Sequence, residues 1–119
     1  MRRIAQVTTL LVGFAPGPAL AQDWQALRGD QIRAALEGRK LVYDTGATQD
    51  FRASGRTSYN AGADSWGYWR ITGDQYCSQW PPSDLWSCYD LLLAPDGAGV
   101  RFVGGAGETS DAIYGPGGP

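Results

Sequence analysis

The chain of 119 residues has no histidine, one methionine at its first position, one lysine and two cysteines. Without histidine there can be no His-based triad, His-ligated zinc or His-ligated haem, and two cysteines are too few for a four-thiolate centre. No aspartate cluster follows the calcium-loop spacing D-x-[DN]-x-[DN]-G. No metal and no cofactor is therefore expected. Lys40 is the only lysine, and runs of basic residues are absent, so the electrostatic footprint of a nucleic-acid surface is missing. The one long apolar run, from Ile4 to Ala15, is short and closely followed by Pro16, Gly17 and Pro18, which argues against a retained membrane span.

That run reads instead as part of a leader. Arg2 and Arg3 precede it, and Ala19-Leu20-Ala21 supplies small residues at a cleavage site, so residues 1–21 are expected to be a signal peptide. The expected mature protein is a single domain over residues 22–119, secreted or periplasmic. Gln22 stands where a lipoprotein would need cysteine. Loss of Arg2 and Arg3 would take the net charge from −2 to −4. A domain this small gains from a covalent staple.

The stretch Trp66 to Tyr89 holds both cysteines and four of the five tryptophans. Within it, Gln75 to Trp80 and Leu85 onward are strand-like runs on either side of Pro81-Pro82-Ser83-Asp84, which is turn chemistry. Pairing Trp80 with Leu85 across that loop sets Gln79 opposite Trp86, Ser78 opposite Ser87, Cys77 opposite Cys88 and Tyr76 opposite Tyr89. Facing cysteines in an antiparallel pair lie about 4.5–5.5 Å apart at Cα, within disulfide reach. A redox-active pair is disfavoured, because the spacing is not C-x-x-C and no helix start is evident to acidify a thiol.

Before this stretch, Asp30 is placed to cap a short helix over residues 31–37, with Gly38 as its stop and Ile32, Ala35 and Leu36 on one face. With Leu27 and Trp24, that face makes a plug for an open barrel end. From Lys40 onward the pattern is of short runs broken by Gly, Asp, Asn, Ser and Pro. Strands are expected near residues 40–43, 48–53, 56–59, 67–72, 75–80, 85–92, 100–103 and 109–114. Short connections make sequence neighbours antiparallel neighbours. The fold expected is mainly β: a small up-and-down barrel of about eight strands, or else a strongly bent sheet, with one N-terminal helix.

Chemistry is sparse along this scaffold. Asp44, Asp50, Asp64, Asp74, Asp84 and Asp90 could in principle supply a glycosidase pair, but Asp44 and Asp74 sit where turns require Asp, and Asp84 lies in the proline loop. Gly104-Gly105-Ala106-Gly107 lacks the helix and β-α-β unit of a dinucleotide loop. The remaining candidates are aromatic and basic: Trp69, Trp80 and Trp86 as ring faces, Arg70 and Arg101 as strand cations that would pair a charge or meet a ligand.

The motif Gly67-x-Trp69-Arg70, then Gly73 through Asp84, then Trp86-x-Cys88-Tyr89-Asp90, resembles a family of small secreted alphaproteobacterial proteins of unknown function, some carried under the name dihydrodipicolinate reductase. The resemblance covers most of the mature region and implies the disulfide and the β architecture. The residues do not supply that reductase activity, having no dinucleotide fingerprint and no histidine. Gly67-x-Trp69 is also similar to a feature of lipocalin-type barrels, although it falls mid-chain here rather than on the first strand. The functional expectation is a non-enzymatic barrel binding a small ligand or envelope component. The alternative is an inhibitor or interaction module presenting residues 78–87 to a partner protein, with an enzyme third. A hollow interior would favour the first and a solid one the second.

Overall fold

The structure, a computed structural model, describes residues 23–118. The expected signal peptide and the junction at Gln22 lie outside the described residues.

Eight antiparallel strands close into a barrel: β2 (Lys40–Tyr43), β3 (Thr48–Phe51), β4 (Arg56–Asn60), β5 (Asp64–Thr72), β6 (Gln75–Gln79), β7 (Trp86–Leu93), β8 (Gly99–Val103) and β9 (Thr109–Tyr114). Each pairs with its sequence neighbour, and β9 returns to β2 through Leu41–Tyr114, Val42–Ile113 and Tyr43–Ala112. Closure leaves no long edge unpaired, which resolves the choice between barrel and bent sheet. A ninth strand, β1 (Gln25–Ala26), was not evident in the sequence. It exists because β7 outruns β6: β6 pairs with residues 86–89 of β7, and β1 takes up Leu92 and Leu93 beyond them.

The turns work as their residues suggest. Gly73 and Asp74 form a two-residue reversal between Thr72 and Gln75, with Gly73 at φ 59°, a backbone conformation that tight hairpins need and L side chains resist. Asp74 has a second use, since its Oδ1 accepts the Gly29 N–H at 2.9 Å. That bond ties the start of the helix α1 (Gly29–Leu36) to the barrel end.

The helix begins earlier than the Asp30 cap predicts. Arg28 is the N-cap residue, and its N–H is taken by Oε1 of Gln31 at 2.9 Å. Asp30 lies instead in the first helical turn, where a carboxylate favours the positive end of the helix dipole. Gly38 does follow the helix, at φ 75°, and its N–H bonds the Phe51 carbonyl. The plug is real: Ile32 and Leu36 are fully buried, and Tyr114 donates its hydroxyl to the Ala35 carbonyl at 2.9 Å. Trp24 takes no part in it, because its ring lies 4.1 Å from the Arg101 guanidinium on the outer wall.

Alternation along the strands sends Leu41, Phe51, Trp69, Leu91 and Val100 inward, where with Ile32, Leu36 and Leu27 they fill the helix-closed end. Phe51 meets Trp69 and Tyr76 edge to face, at 5.7 and 5.8 Å between ring centroids. The core therefore sits in one half of the barrel. Among the described residues, no helix is long and apolar enough to cross a membrane.

Candidate functional site

The other half of the barrel is hollow. A cavity of about 680 Å³ opens at the end opposite the helix, among the turns that follow β2, β4 and β6. Its size is within the range of small-molecule sites, about 300–1,000 Å³. The same alternation that fills the closed end builds the walls: two residues along from Leu41, Leu91 and Val100 come Tyr43, Tyr89 and Phe102. Tyr59 on β4, Tyr76 on β6 and Trp80 at the end of β6 complete the aromatic lining, and Trp66 reaches the rim.

The rings touch in sequence around the wall. Trp80 contacts Tyr59 at 6.1 Å, Tyr59 contacts Tyr43 at 6.0 Å, Tyr43 contacts Phe102 at 6.1 Å, and Phe102 contacts Tyr89 at 6.4 Å. These five residues come from different parts of the chain, just past the end of β6 and on β4, β2, β8 and β7. Tyr76 lies beneath, 5.1 Å from Phe102, and joins the cavity floor to the packed core.

The floor is polar but internally bonded. Tyr43 donates its hydroxyl to Oε1 of Gln49 at 2.6 Å, and Nε2 of Gln49 donates to Thr57 Oγ1 at 3.0 Å and to the Tyr76 hydroxyl at 3.2 Å. Thr57 donates its own hydroxyl to the Asp50 backbone carbonyl at 2.6 Å. Buried polar groups are costly when unpaired, and this chain of bonds satisfies Gln49 and Thr57, both of which are buried. Beside it, Trp80 Nε1 donates to Ser78 Oγ at 3.1 Å and so fixes the indole on the wall.

Burial sets the chemistry of the phenols. Desolvation raises Tyr43 well above the usual tyrosine range, with smaller contributions from Tyr76, Tyr59 and Tyr89. Desolvation also pushes Tyr76 up to about 12, outweighing the hydrogen bonds from Ser78 and Gln49 that favour its anion. Both are neutral at physiological pH. Among the described residues, Asp44 at the mouth is the sole carboxylate in the lining, and no arginine or lysine lines the cavity. Among the described residues, no three metal-ligating side chains come together.

The sequence candidates are distributed unevenly over this geometry. Trp80 lines the cavity. Trp69 is 4% exposed below it, in the core, with its Nε1 donating to the Arg52 carbonyl at 2.9 Å. Arg70 and Trp86 lie on the outer wall, stacked 3.9 Å apart beside the Cys77–Cys88 disulfide. Arg101 also points outward, and Asp111 holds its guanidinium through bonds of 2.7 and 2.9 Å. This pairing keeps the Asp111 carboxyl below its ordinary range. The five residues therefore form no single site, because residues 70, 86 and 101 fall on the outward parity of their strands. Tyr43, Gln49, Tyr59 and Phe102 went unremarked in the sequence, and Tyr89 was placed only as the partner of Tyr76, although extending the alternation by one step from the core positions would have found them all.

Gly67 explains why the tryptophan can lie where it does. A Cβ at this position would sit 2.5 Å from the Gln79 carbonyl and 2.7 Å from Trp80 Cε3, so the bare strand is the bed for the indole. Gly67→Ala is expected to destabilise by about 1–3 kcal/mol, the usual range for overpacking, and to move Trp80 off the wall. Urea unfolding measures the first effect and the near-ultraviolet circular dichroism of the folded state the second. An unchanged unfolding midpoint would show that the backbone yields at no cost.

The fold and cavity define a class: a closed eight-stranded antiparallel barrel, plugged at one end by a helix and hollow at the other. Compared with protein families, curated proteins and solved structures, the chain matches none.

Proposed function

We propose that this protein binds a small molecule inside its barrel, as a non-enzymatic binding protein of the bacterial envelope. One observation carries the reading: the helix-distal half of the barrel holds a cavity of about 680 Å³ where a solid interior would have buried the same aromatic rings against one another. Large aromatics are the most effective source of apolar burial in a small domain. Leaving them around a void forgoes packing that the closed end of the same barrel achieves. The Cys77–Cys88 disulfide fits an oxidising compartment outside the cytoplasm, and the leader expected over residues 1–21 would deliver the chain there. Membership of the secreted alphaproteobacterial family that the Gly67-x-Trp69-Arg70 motif resembles is part of the same proposal.

Native mass spectrometry of the protein isolated from periplasm tests this reading. The expected spectrum shows a non-covalent adduct in the mass range of a few hundred daltons, lost on denaturation. A bare chain that also fails to take up apolar dyes would overturn it.

A second reading has its own support in the loop between β6 and β7. Leu85 is 74% exposed there, on a loop held by Gln79 Nε2 to the Asp84 carbonyl at 2.9 Å and Ser83 Oγ to the Leu85 N–H at 3.2 Å. A pinned loop with an exposed apolar residue suits insertion into a partner's cleft. A bare chain would direct the search to such partners.

A further inference from the structure

The walls of the cavity discriminate between ligand charges, an inference that rests on reading the cavity as a binding site. An aromatic ring attracts a cation to its negative face, and a void walled by several rings offers a cation more than one such partner. Here the contacts from Trp80 through Tyr59, Tyr43 and Phe102 to Tyr89 run around the wall. The polar groups of the floor add no positive charge: they are hydroxyls and one amide, and the buried phenols stay protonated.

The placement of formal charge reinforces this bias. Asp44 follows Tyr43 directly and stands at the mouth as the only carboxylate of the lining among the described residues. Among the described residues, no arginine lines the cavity. Arg52 and Arg56 lie 4.8 and 4.9 Å from the Trp66 ring, Arg70 covers Trp86, and Arg101 is bound by Asp111. Trp66 is thus engaged by its own cations, and the cage is made by the other rings.

A buried anion would meet aromatic rings and a carboxylate with no compensating charge. A neutral molecule would gain only from apolar contact. We propose that the cavity takes an organic cation, a quaternary or fully alkylated ammonium on an apolar body, with its charge against Tyr43, Tyr59 and Trp80 and beneath Asp44. The ammonium's alkyl groups remove its need for hydrogen-bond acceptors, and the rings supply the electrostatic partner that water would otherwise provide. The volume of about 680 Å³ leaves room for a body larger than the headgroup.

The test compares phenyltrimethylammonium with tert-butylbenzene, the same shape with carbon in place of the charged nitrogen. Binding is read by calorimetry and by the indole N–H signals in nitrogen-15 spectra, for the native protein and for Asp44→Asn. That variant changes an exposed turn residue and should leave the fold intact. The cation is expected to bind at least about tenfold more tightly than its isostere, in keeping with a desolvated cation–π site. Asp44→Asn should weaken the cation about two- to fivefold, as loss of one attraction at a wet rim implies, and leave the isostere unchanged. Equal or tighter binding of tert-butylbenzene would overturn the cationic ligand while leaving a binding cavity. Failure of both probes to bind would overturn the cavity reading as well. A preference for the cation that is undiminished in Asp44→Asn would retain the cage and remove the carboxylate from the proposal.

Discussion

Replacing Cys77 and Cys88 together by alanine is expected to lower the stability of the folded chain by about 3 kcal/mol, the loop-closure entropy for a crosslink of about a dozen residues. The two cysteines are 11 apart in sequence and directly opposite in the β6–β7 ladder, so the crosslink confirms a register the backbone already adopts. Its contribution acts on the unfolded chain, which it keeps from separating the two segments that carry Tyr76 and Tyr89, with Trp80 in the loop between them. Alanine is the informative replacement because Cys77 is fully buried, and a serine hydroxyl would add its own desolvation cost. For a domain of this size the loss corresponds to a fall in Tm of about 12–24 °C. Thermal unfolding by circular dichroism measures it. A fall of under about 3 °C would mean that the hairpin is equally constrained without the bond, as residual structure in the unfolded state would allow.

The architecture was legible because the chain states it locally. Hydrophobic runs of strand length, separated by residues suited to reversals, leave a meander as the simplest topology, and the Pro81-Pro82-Ser83-Asp84 loop fixes the hairpin register: Tyr76–Tyr89, Cys77–Cys88, Ser78–Ser87 and Gln79–Trp86 all pair as the sequence implies. The Cα separation of the cysteines, 4.0 Å, is closer than either ideal ladder spacing. What stayed hidden required non-local information. β1 depends on how far β7 extends past β6, a consequence of barrel shear that no window of residues contains. The cap at Arg28 depends on Gln31 reaching back and on Asp74 holding the next N–H from 45 residues away.

The cavity was harder to read for a related reason. Tryptophan density drew attention to Trp69, Trp80 and Trp86, yet the rings that form the wall are mostly tyrosines separated by long stretches of sequence. Composition cannot tell a ring that packs from a ring that lines a void. Parity along each strand does part of this work: Trp86 and Arg70 fall outward, while Tyr43 and Tyr89 fall inward. It cannot supply the remaining coordinate, height along the barrel axis. Trp69 and Tyr59 both face inward, but the first lies in the layer closed by Ile32 and Leu36 and the second near the mouth. That difference arises only when the helix is docked at one end and the other is left open.

Raising the pH should unfold this protein through the floor of its own cavity. A buried phenol whose pKa is raised on folding binds its proton more tightly in the folded state than in the unfolded one. Its contribution is fully present below the unfolded pKa of 10 and is lost as pH climbs through the folded value, about 12 for Tyr76. Between those limits each such group removes up to about 1.4 kcal/mol per pH unit, so Tyr76 accounts for about 3 kcal/mol and Tyr43, raised further, adds to it. Ionisation of Tyr43 would also break its hydrogen bond to Gln49 and leave an anion among aromatic faces. Urea midpoints followed from pH 8 to pH 12 should therefore be level at first and fall steeply beyond pH 10. Tyrosinate absorbance should show a late-ionising fraction that appears together with unfolding. Tyr76→Phe supplies the control: it costs about 1 kcal/mol at neutral pH through the lost bond to Gln49, and its midpoint should decline less steeply above pH 10. Ionisation of all six tyrosines as one class near pH 10, with the barrel still folded, would show that Tyr43 and Tyr76 reach water far more readily than their burial requires.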